Sequence, residues 1–370
     1  MNTPPIFRSN SYASTCEEML EELLVSDVLN ANLNVCFVTS GDDLGRLGAE
    51  LSARCDGTVI GCTTSGHIAH DGYQQEGIAL LSFGEGTRAW SWKIDDVHQP
   101  ELSIDAIRDG VAEVLGTLDM NQTFGLLLTD GLCNAEEWLT TLLFEALPSI
   151  PIVGGSAGDH LEFAQTLVLH DGVFESGIAT FTLVTTDQSF EVFSMQHHHP
   201  TSKRLFVSKS APEERRVLEL NGLPAAQAYA DAVGVSVDDL TPAVLAKHPL
   251  MVPVGQHYYI RSPRNVLADG SMMFFCALEQ GIVLRIGESR DMIGALDAEM
   301  DAYEDADAIL VFDCILRRLE LEQDGLADQA GGILARHNAI GFSTYGEQFD
   351  ALHVNQTMVG IAFGGRHGRE

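Results

Sequence analysis

An internal repeat constrains the fold more than any other feature of the chain. The segment VIGCTTSG at residues 59–66 returns as AIGFSTYG at 339–346, and a looser copy, PIVGGSAG, lies at 151–158. Each copy has the pattern of a short β-branched strand that runs into a turn of small residues. Such self-similarity indicates one supersecondary unit used more than once, so we expect three related units.

The flanks of each turn repeat as well. Apolar stretches precede the turns at 33–39, 124–129 and 308–312, and helical segments follow these stretches at 44–54, 135–147 and 325–337. After the turns, Gly-Ile-Ala recurs at 77–79, 177–179 and 360–362. The unit is therefore strand, helix, strand, turn, strand. Its crossover favours a parallel strand pair, and its last strand is able to return antiparallel.

The region between the second and third copies has a different pattern. Short strands alternate there with short helical segments at 224–232 and 238–246. We therefore predict an α/β (α+β) protein whose repeated units form mixed sheets in two domains. Residues 1–225 would hold two units and residues 226–370 the third.

The charge of the chain limits its partners. Fifty-three acidic against 21 basic residues give a formal net charge of −32. Such a chain repels phosphate backbones and anionic lipid surfaces, so we expect neither nucleic-acid binding nor membrane binding. No apolar run approaches the ~20 residues that span a bilayer, and the N-terminus lacks a signal-peptide pattern, so a cytoplasmic location is expected.

The seven cysteines are scattered along the chain and none forms a C-x-x-C pair. Most lie in apolar stretches, which predicts buried free thiols. A zinc site has no support in these spacings.

Catalytic motifs give a weak signal. Ser156 lies in a G-x-S-x-G pattern, which a serine hydrolase would use as a nucleophile elbow. The related turns place Thr64 and Thr344 near the equivalent position, which favours a structural turn, and we predict that the protein is not an enzyme. N–H groups in these turns could hold a small anion such as a carboxylate. Glu347 is expected at the surface.

The histidines are the better candidates for a site. His197, His198 and His199 directly follow an apolar strand near the predicted domain junction, where ligand clefts are common. Neutral imidazole is a favoured ligand of haem iron and of other transition metals. From residue types alone, a polar loop with incidental histidines is the simpler interpretation. His248 and His353 are further candidates.

Several segments together resemble the FIST family, with a FIST N domain followed by a FIST C domain. They are GCTTSG at 61–66, GGSAGD at 154–159, ELNGLPA at 219–225 and GFSTYGE at 341–347. Within the family the chain is similar to nitric-oxide-sensing haemoproteins of the NosP type, through FEVFSMQHH at 190–198, KHPL at 247–250, YYIRS at 258–262, LRRLE at 316–320 and HVNQT at 353–357.

This resemblance implies a haem b held by one histidine, reversible nitric oxide binding, and control of a partner histidine kinase in biofilm or cyclic-di-GMP signalling. It makes one of His197, His198 and His199 the expected iron ligand, with His248 and His353 next. Other FIST proteins are thought to sense small molecules such as amino acids, so a haem-free sensor stays open. A monomer and a homodimer both fit the sequence.

Overall fold

The computed structural model describes residues 5–39, 41, 43–255 and 257–365. None of the helices in these ranges is long and apolar enough to cross a membrane. The helices are α1 (Cys16–Leu23), α2 (Ser26–Leu29), α3 (Leu44–Arg54), α4 (Glu101–Leu115), α5 (Glu136–Ala146), α6 (Ala225–Val233), α7 (Pro242–Lys247), α8 (Met292–Asp301), α9 (Ile315–Gln323) and α10 (Ala327–Arg336).

The strands divide into three repeat units and one insertion. The first unit contains β1 (Ile6–Ser11), β2 (Leu33–Thr39), β3 (Thr58–Thr64), β4 (His67–Ala69), β5 (Gly72–Gln74) and β6 (Ile78–Phe83). The second contains β7 (Thr87–Ile94), β8 (Thr123–Thr129), β9 (Ile152–Ser156), β10 (Val168–His170), β11 (Val173–Glu175) and β12 (Ala179–Thr186). The third unit begins with β13 (Phe190–Met195).

The insertion follows with β14 (His198–Ala211), β15 (Arg216–Leu220), β16 (Leu223–Pro224), β17 (Leu250–Val254), β18 (His257–Arg261), β19 (Pro263–Val266), β20 (Met272–Phe274) and β21 (Val283–Ser289). The third unit then resumes with β22 (Ala308–Cys314), β23 (Ala339–Thr344), β24 (Glu347–Phe349), β25 (Leu352–Val354) and β26 (Met358–Phe363). The insertion forms its own sheet and each unit forms the main part of another.

The predicted repeat and fold class are confirmed. Each unit contains a parallel pair: α3 joins β2 to β3, α5 joins β8 to β9, and α9 and α10 join β22 to β23. The final strands β6, β12 and β26 return antiparallel against the first member of each pair. In each unit an additional edge strand, β1, β7 or β13, pairs with that final strand.

The three units exchange hairpins in a cycle, which the sequence did not predict. The β10–β11 hairpin of the second unit pairs with β3 of the first. The β24–β25 hairpin of the third unit pairs with β9 of the second, and the β4–β5 hairpin of the first pairs with β23 of the third. Each sheet is therefore completed by its neighbour, so no unit has a complete sheet by itself.

The small-residue turns meet at the centre of this cycle. The N–H of Ser65 donates to the Ser343 carbonyl at 3.3 Å, that of Tyr345 to the Ser156 carbonyl at 3.1 Å, and that of Gly158 to the Thr63 carbonyl at 3.0 Å. Ser156 is thus equivalent to Thr63 and Ser343. Thr64 and Thr344 each lie one residue beyond the equivalent position, so the prediction that they lie near it holds; the offset arises because an ungapped alignment places the second copy one position out of register.

One glycine recurs in this register because the strands approach closely. A Cβ on Gly61 would lie 2.2 Å from the Cys36 carbonyl oxygen. At Gly154 and Gly341 it would lie 1.8 Å and 1.7 Å from the carbonyl oxygens of Leu127 and Val311. Side chains do not tolerate such distances, so the repeated glycine is a packing requirement of the parallel pair.

A single hydrophobic cluster joins the three units. Phe37, Phe124, Phe312 and Phe342 are fully buried in it. The Phe37 and Phe342 rings stack with centroids 4.8 Å apart. Burying one such side chain contributes about 1.5–3 kcal/mol, so the shared core holds the exchanged units together.

Candidate functional site

The histidine run lies where the third unit passes into the insertion. His197 and His198 are 1% and 2% exposed, whereas His199 is exposed. The backbone sets this alternation, because β14 begins at His198 and pairs with Ser289 of β21. Successive side chains of a strand point to opposite faces, so only one of His198 and His199 faces the interior.

Two side chains of α9 hold His197. The Arg317 guanidinium donates from Nη1 to His197 Nδ1 at 2.8 Å, and His197 Nε2 lies 3.0 Å from Oε2 of Glu320. A guanidinium only donates, so Nδ1 accepts and the proton on Nε2 is donated to Glu320. Burial, then the Arg317 charge, lowers the pKa of His197 to about 2. His197 is neutral and both of its nitrogens are occupied.

His198 lacks partners of this kind. Its ring centroid lies 4.0 Å from that of His197, and neither of its ring nitrogens has a hydrogen-bond partner. Its Nε2 lies 3.8 Å from Oε2 of Glu320, whose Oε1 is also unpaired. Burial, followed by the neighbouring His197, lowers the pKa of His198 well below its usual value. The side chain is a neutral imidazole with a free lone pair, the state that binds a metal.

A cavity of about 680 Å³ has Glu320 in its wall, and His198, 3.8 Å from Glu320, is not among the residues that line it. Glu288, Asp291 and Asp324 add three more carboxylates, and the lining lysine, Lys247, pairs with Asp324 at 2.7 Å. The apolar lining consists of Met292, Ile293 and Leu326, and the half-buried His248 lies on the same cavity.

The structure separates His353 from the other candidate histidines. His197, His198 and Glu320 have ligand atoms within 4.8 Å of one another, and His353 belongs instead to a second group with Glu137 and Cys276. All seven cysteines are free and buried, as predicted.

Ser156 lacks the surroundings of a nucleophile. It is fully buried; its Oγ accepts from Gln348 Nε2 at 2.9 Å and donates to Glu136 at 3.4 Å. His353 Nδ1 lies 3.5 Å from the same Gln348 nitrogen. In the described part of the chain no histidine is hydrogen-bonded to Ser156, so the hydrolase hypothesis gains no support.

Glu347 is buried, so the expectation of a surface carboxylate was wrong. Its oxygens accept from Thr344 Oγ1 at 2.5 Å and from Thr357 Oγ1 at 2.6 Å. The hairpin exchange puts it at 0% exposure, against β9 of the second unit. Burial raises its pKa to about 8.

The family follows from comparison with known domains. Residues 32–223 match the FIST N domain and residues 225–350 match the FIST C domain, so the chain belongs to the FIST family. FIST domains are signal-transduction sensor domains. The predicted two-domain FIST architecture is confirmed, and the division after residue 225 stays a prediction.

No curated protein matches the chain. Among solved structures, a chorismatase crystal structure aligns over 97% of both chains at 9% identity with a TM-score of 0.37. A likeness at that level carries no argument about function.

Sequence reasoning missed the residues of α9 that define the site. Arg317 and Glu320 lie three residues apart directly after a buried strand, so they share one helix face at the strand's carboxyl end. That spacing was a usable signal. The sequence did not indicate which of the three histidines is left without partners, because that depends on which of them α9 contacts.

Proposed function

We propose that this protein is a haem-based nitric oxide sensor that regulates a partner histidine kinase, as the NosP-type resemblance implies, with His198 as the iron ligand. The observation that carries the proposal is His198 itself. It is a buried, neutral imidazole with two unpaired nitrogens, 3.8 Å from Glu320, which lines a cavity of about 680 Å³. Burying a polar group without a partner costs about 1–3 kcal/mol, and coordination to a bound iron would remove that cost.

The residues present fit a haem group in two respects, volume and apolar contact. A volume of about 680 Å³ falls within the range of cofactor sites, roughly 300–1,000 Å³. Met292, Ile293 and Leu326 provide apolar contact for a macrocycle, whereas the four carboxylates of the lining and the pairing of Lys247 with Asp324 disfavour the propionates. Haem b would supply an iron centre that binds nitric oxide reversibly.

The chain's own residues provide a route from the site to the rest of the molecule. His198 lies on β14 of the insertion, and Glu320 lies on α9 of the third unit. A change in the position of His198 would therefore alter contacts between these two parts. A ligand shifts such an equilibrium only as far as its affinities for the two states differ. The net charge of −32 favours a basic docking surface on the kinase, an attraction that salt weakens.

An absorption spectrum tests the proposal. The full chain is purified, reconstituted with haem, reduced, and exposed to nitric oxide. We expect a Soret band that nitric oxide shifts, and a change in the partner kinase's autophosphorylation when the nitrosyl form is added. Absence of a Soret band after reconstitution would contradict the haem assignment.

One observation favours a second candidate, a haem-free sensor of small molecules. The cavity has four carboxylates and one lysine that is already paired. The negative charge of the cavity suits a ligand with an ammonium group. The small-residue turns are a poorer site for an anion. The turn N–H groups of Ser65, Gly158 and Tyr345 already donate to neighbouring turns.

The two candidates predict opposite results in one comparison. A haem-free sensor would show no Soret band, and its melting temperature would rise with a diamine. Asp291→Asn should weaken that response, with the exposed Asp238→Asn, which lies outside the cavity, as the matched control.

A further inference from the structure

A second polar cluster, in which Cys276 and His353 are buried and Glu137 is half-buried, lies where three parts of the chain meet. Glu137 comes from α5 of the second unit, Cys276 follows β20 in the insertion, and His353 belongs to β25 of the third unit. One carboxylate oxygen, the Cys276 sulfur and one imidazole nitrogen lie within 4.8 Å of one another. The cluster is separate from the cavity lined by His248 and Glu320, and the two sites have no residue in common.

Unpaired polar atoms mark this cluster as incomplete. His353 is 2% exposed and its Nε2 has no partner, while its Nδ1 has only the 3.5 Å contact with Gln348. The Oε1 of Gln348 and the Nδ2 of Asn355 are unpaired as well. The imidazole nitrogen of His353 and the amide oxygen of Gln348 have lone pairs that a bound cation would satisfy.

The chain is shaped to bring His353 there. A Cβ on Gly346 would lie 2.1 Å from Cε1 and 2.8 Å from Nε2 of the imidazole, so any other residue at 346 would displace the ring. The Cys276 sulfur lies 2.7 Å from Oδ1 of Asn355.

Neighbouring groups orient the carboxylate. The N–H of Ala277 donates to Oε1 of Glu137 at 2.8 Å, and the Arg215 guanidinium donates to its other oxygen. Arg215 also donates to Glu136 at 2.5 Å. Hydrogen-bonded ligands of this kind are typical of the outer shell around protein metal sites.

We propose that Glu137, Cys276 and His353 bind a zinc ion that ties the second unit, the third unit and the insertion together. Thiolate, imidazole and carboxylate are the three donor types that zinc takes in proteins, and three protein ligands leave a fourth position open. This site does not depend on whether the chain binds haem.

Zinc binding here displaces a proton. Burial raises the pKa of the Cys276 thiol to about 12, so the metal-free thiol is neutral at pH 7. When the sulfur binds zinc, the S–H bond breaks and its proton leaves to solvent, so that one proton is released for each zinc bound.

Cobalt titration of the full chain tests the site, because thiolate-bound Co²⁺ gives a near-ultraviolet charge-transfer band. We expect one equivalent of Co²⁺ to produce the band, and one equivalent of Zn²⁺ to abolish it. Cys276→Ala should lose the band. Cys36→Ala, which removes an equally buried thiol from the first unit, should keep it.

Two further variants keep the test decisive. His353→Gln and Glu137→Gln preserve side-chain size and should weaken Zn²⁺ binding by at least about tenfold, whereas His98→Ala, at an exposed histidine outside both clusters, should leave it unchanged. The proposal is overturned if the unsubstituted chain gives no thiolate–cobalt band, a result that no folding defect in a variant can obscure. It is also overturned if the band persists in folded Cys276→Ala.

Discussion

Arg317 donates to His197 across 2.8 Å inside the fold, and this contact decides which histidine is free. It fixes the His197 tautomer and directs the Nε2 proton to Glu320. His197 thereby becomes a positioning residue, and His198 is left as the buried imidazole without partners. Of these two adjacent histidines, His197 is therefore held in place by α9 and only His198 is free to bind a ligand.

Removing the Arg317 charge should destabilise the protein strongly. The side chain is fully buried between Asp313, at 2.8 Å, and His197. Deleting one partner of a buried ion pair leaves the other uncompensated, so Arg317→Met should cost about 3–5 kcal/mol in urea unfolding. Arg336→Ala, which breaks an exposed pair with Asp297, should cost less than about 1 kcal/mol. Equal losses would show that Arg317 is not integral to the core.

The repeated glycine gives a second stability prediction. In Gly154→Ala the new methyl group would lie 1.8 Å from the Leu127 carbonyl oxygen, so the β8–β9 pair must separate. We expect a loss of at least about 3 kcal/mol, as for severe overpacking. Gly332→Ala is the control. Gly332 lies in α10, and an added Cβ there would meet no atom within 4 Å, so the free energy of unfolding should rise by about 0.5–1 kcal/mol. Thermal unfolding of both variants checks the contrast, and a mild effect at Gly154 would contradict the close approach.

Glu347 should make stability depend on pH. Its folded pKa is raised by burial from 4.5 to about 8, so the folded state binds more protons than the unfolded state between these values. Its contribution is full below pH 4.5 and is lost as pH rises through 8, by about 2 kcal/mol between pH 6 and 8. Urea unfolding at both pH values should show this loss, and Glu347→Gln should remove it. If Glu347→Gln lost as much stability between pH 6 and pH 8 as the unsubstituted chain, the raised pKa of Glu347 would be refuted.

Sequence patterns predicted local structure well and long-range relationships poorly. The parallel pairs and returning strands were predictable because short segments encode them. The hairpin exchange was not, since β4 reaches its partner β23 across more than two hundred residues. Glu347 was misassigned for this reason: it is buried against a strand of another unit. The zinc candidate was missed in the same way, because Cys276 and His353 have no characteristic spacing.

The central claim is that His198 holds the iron of a bound haem, and paired alanine variants test it most directly. His198→Ala and His199→Ala are purified, reconstituted with haem in parallel with the unsubstituted chain, and compared by their Soret absorbance. The account predicts that His199→Ala keeps the band, because that side chain is exposed, and that His198→Ala loses it. A folded His198→Ala protein that retains the unsubstituted Soret band, or a His199→Ala protein that loses it, would contradict the account.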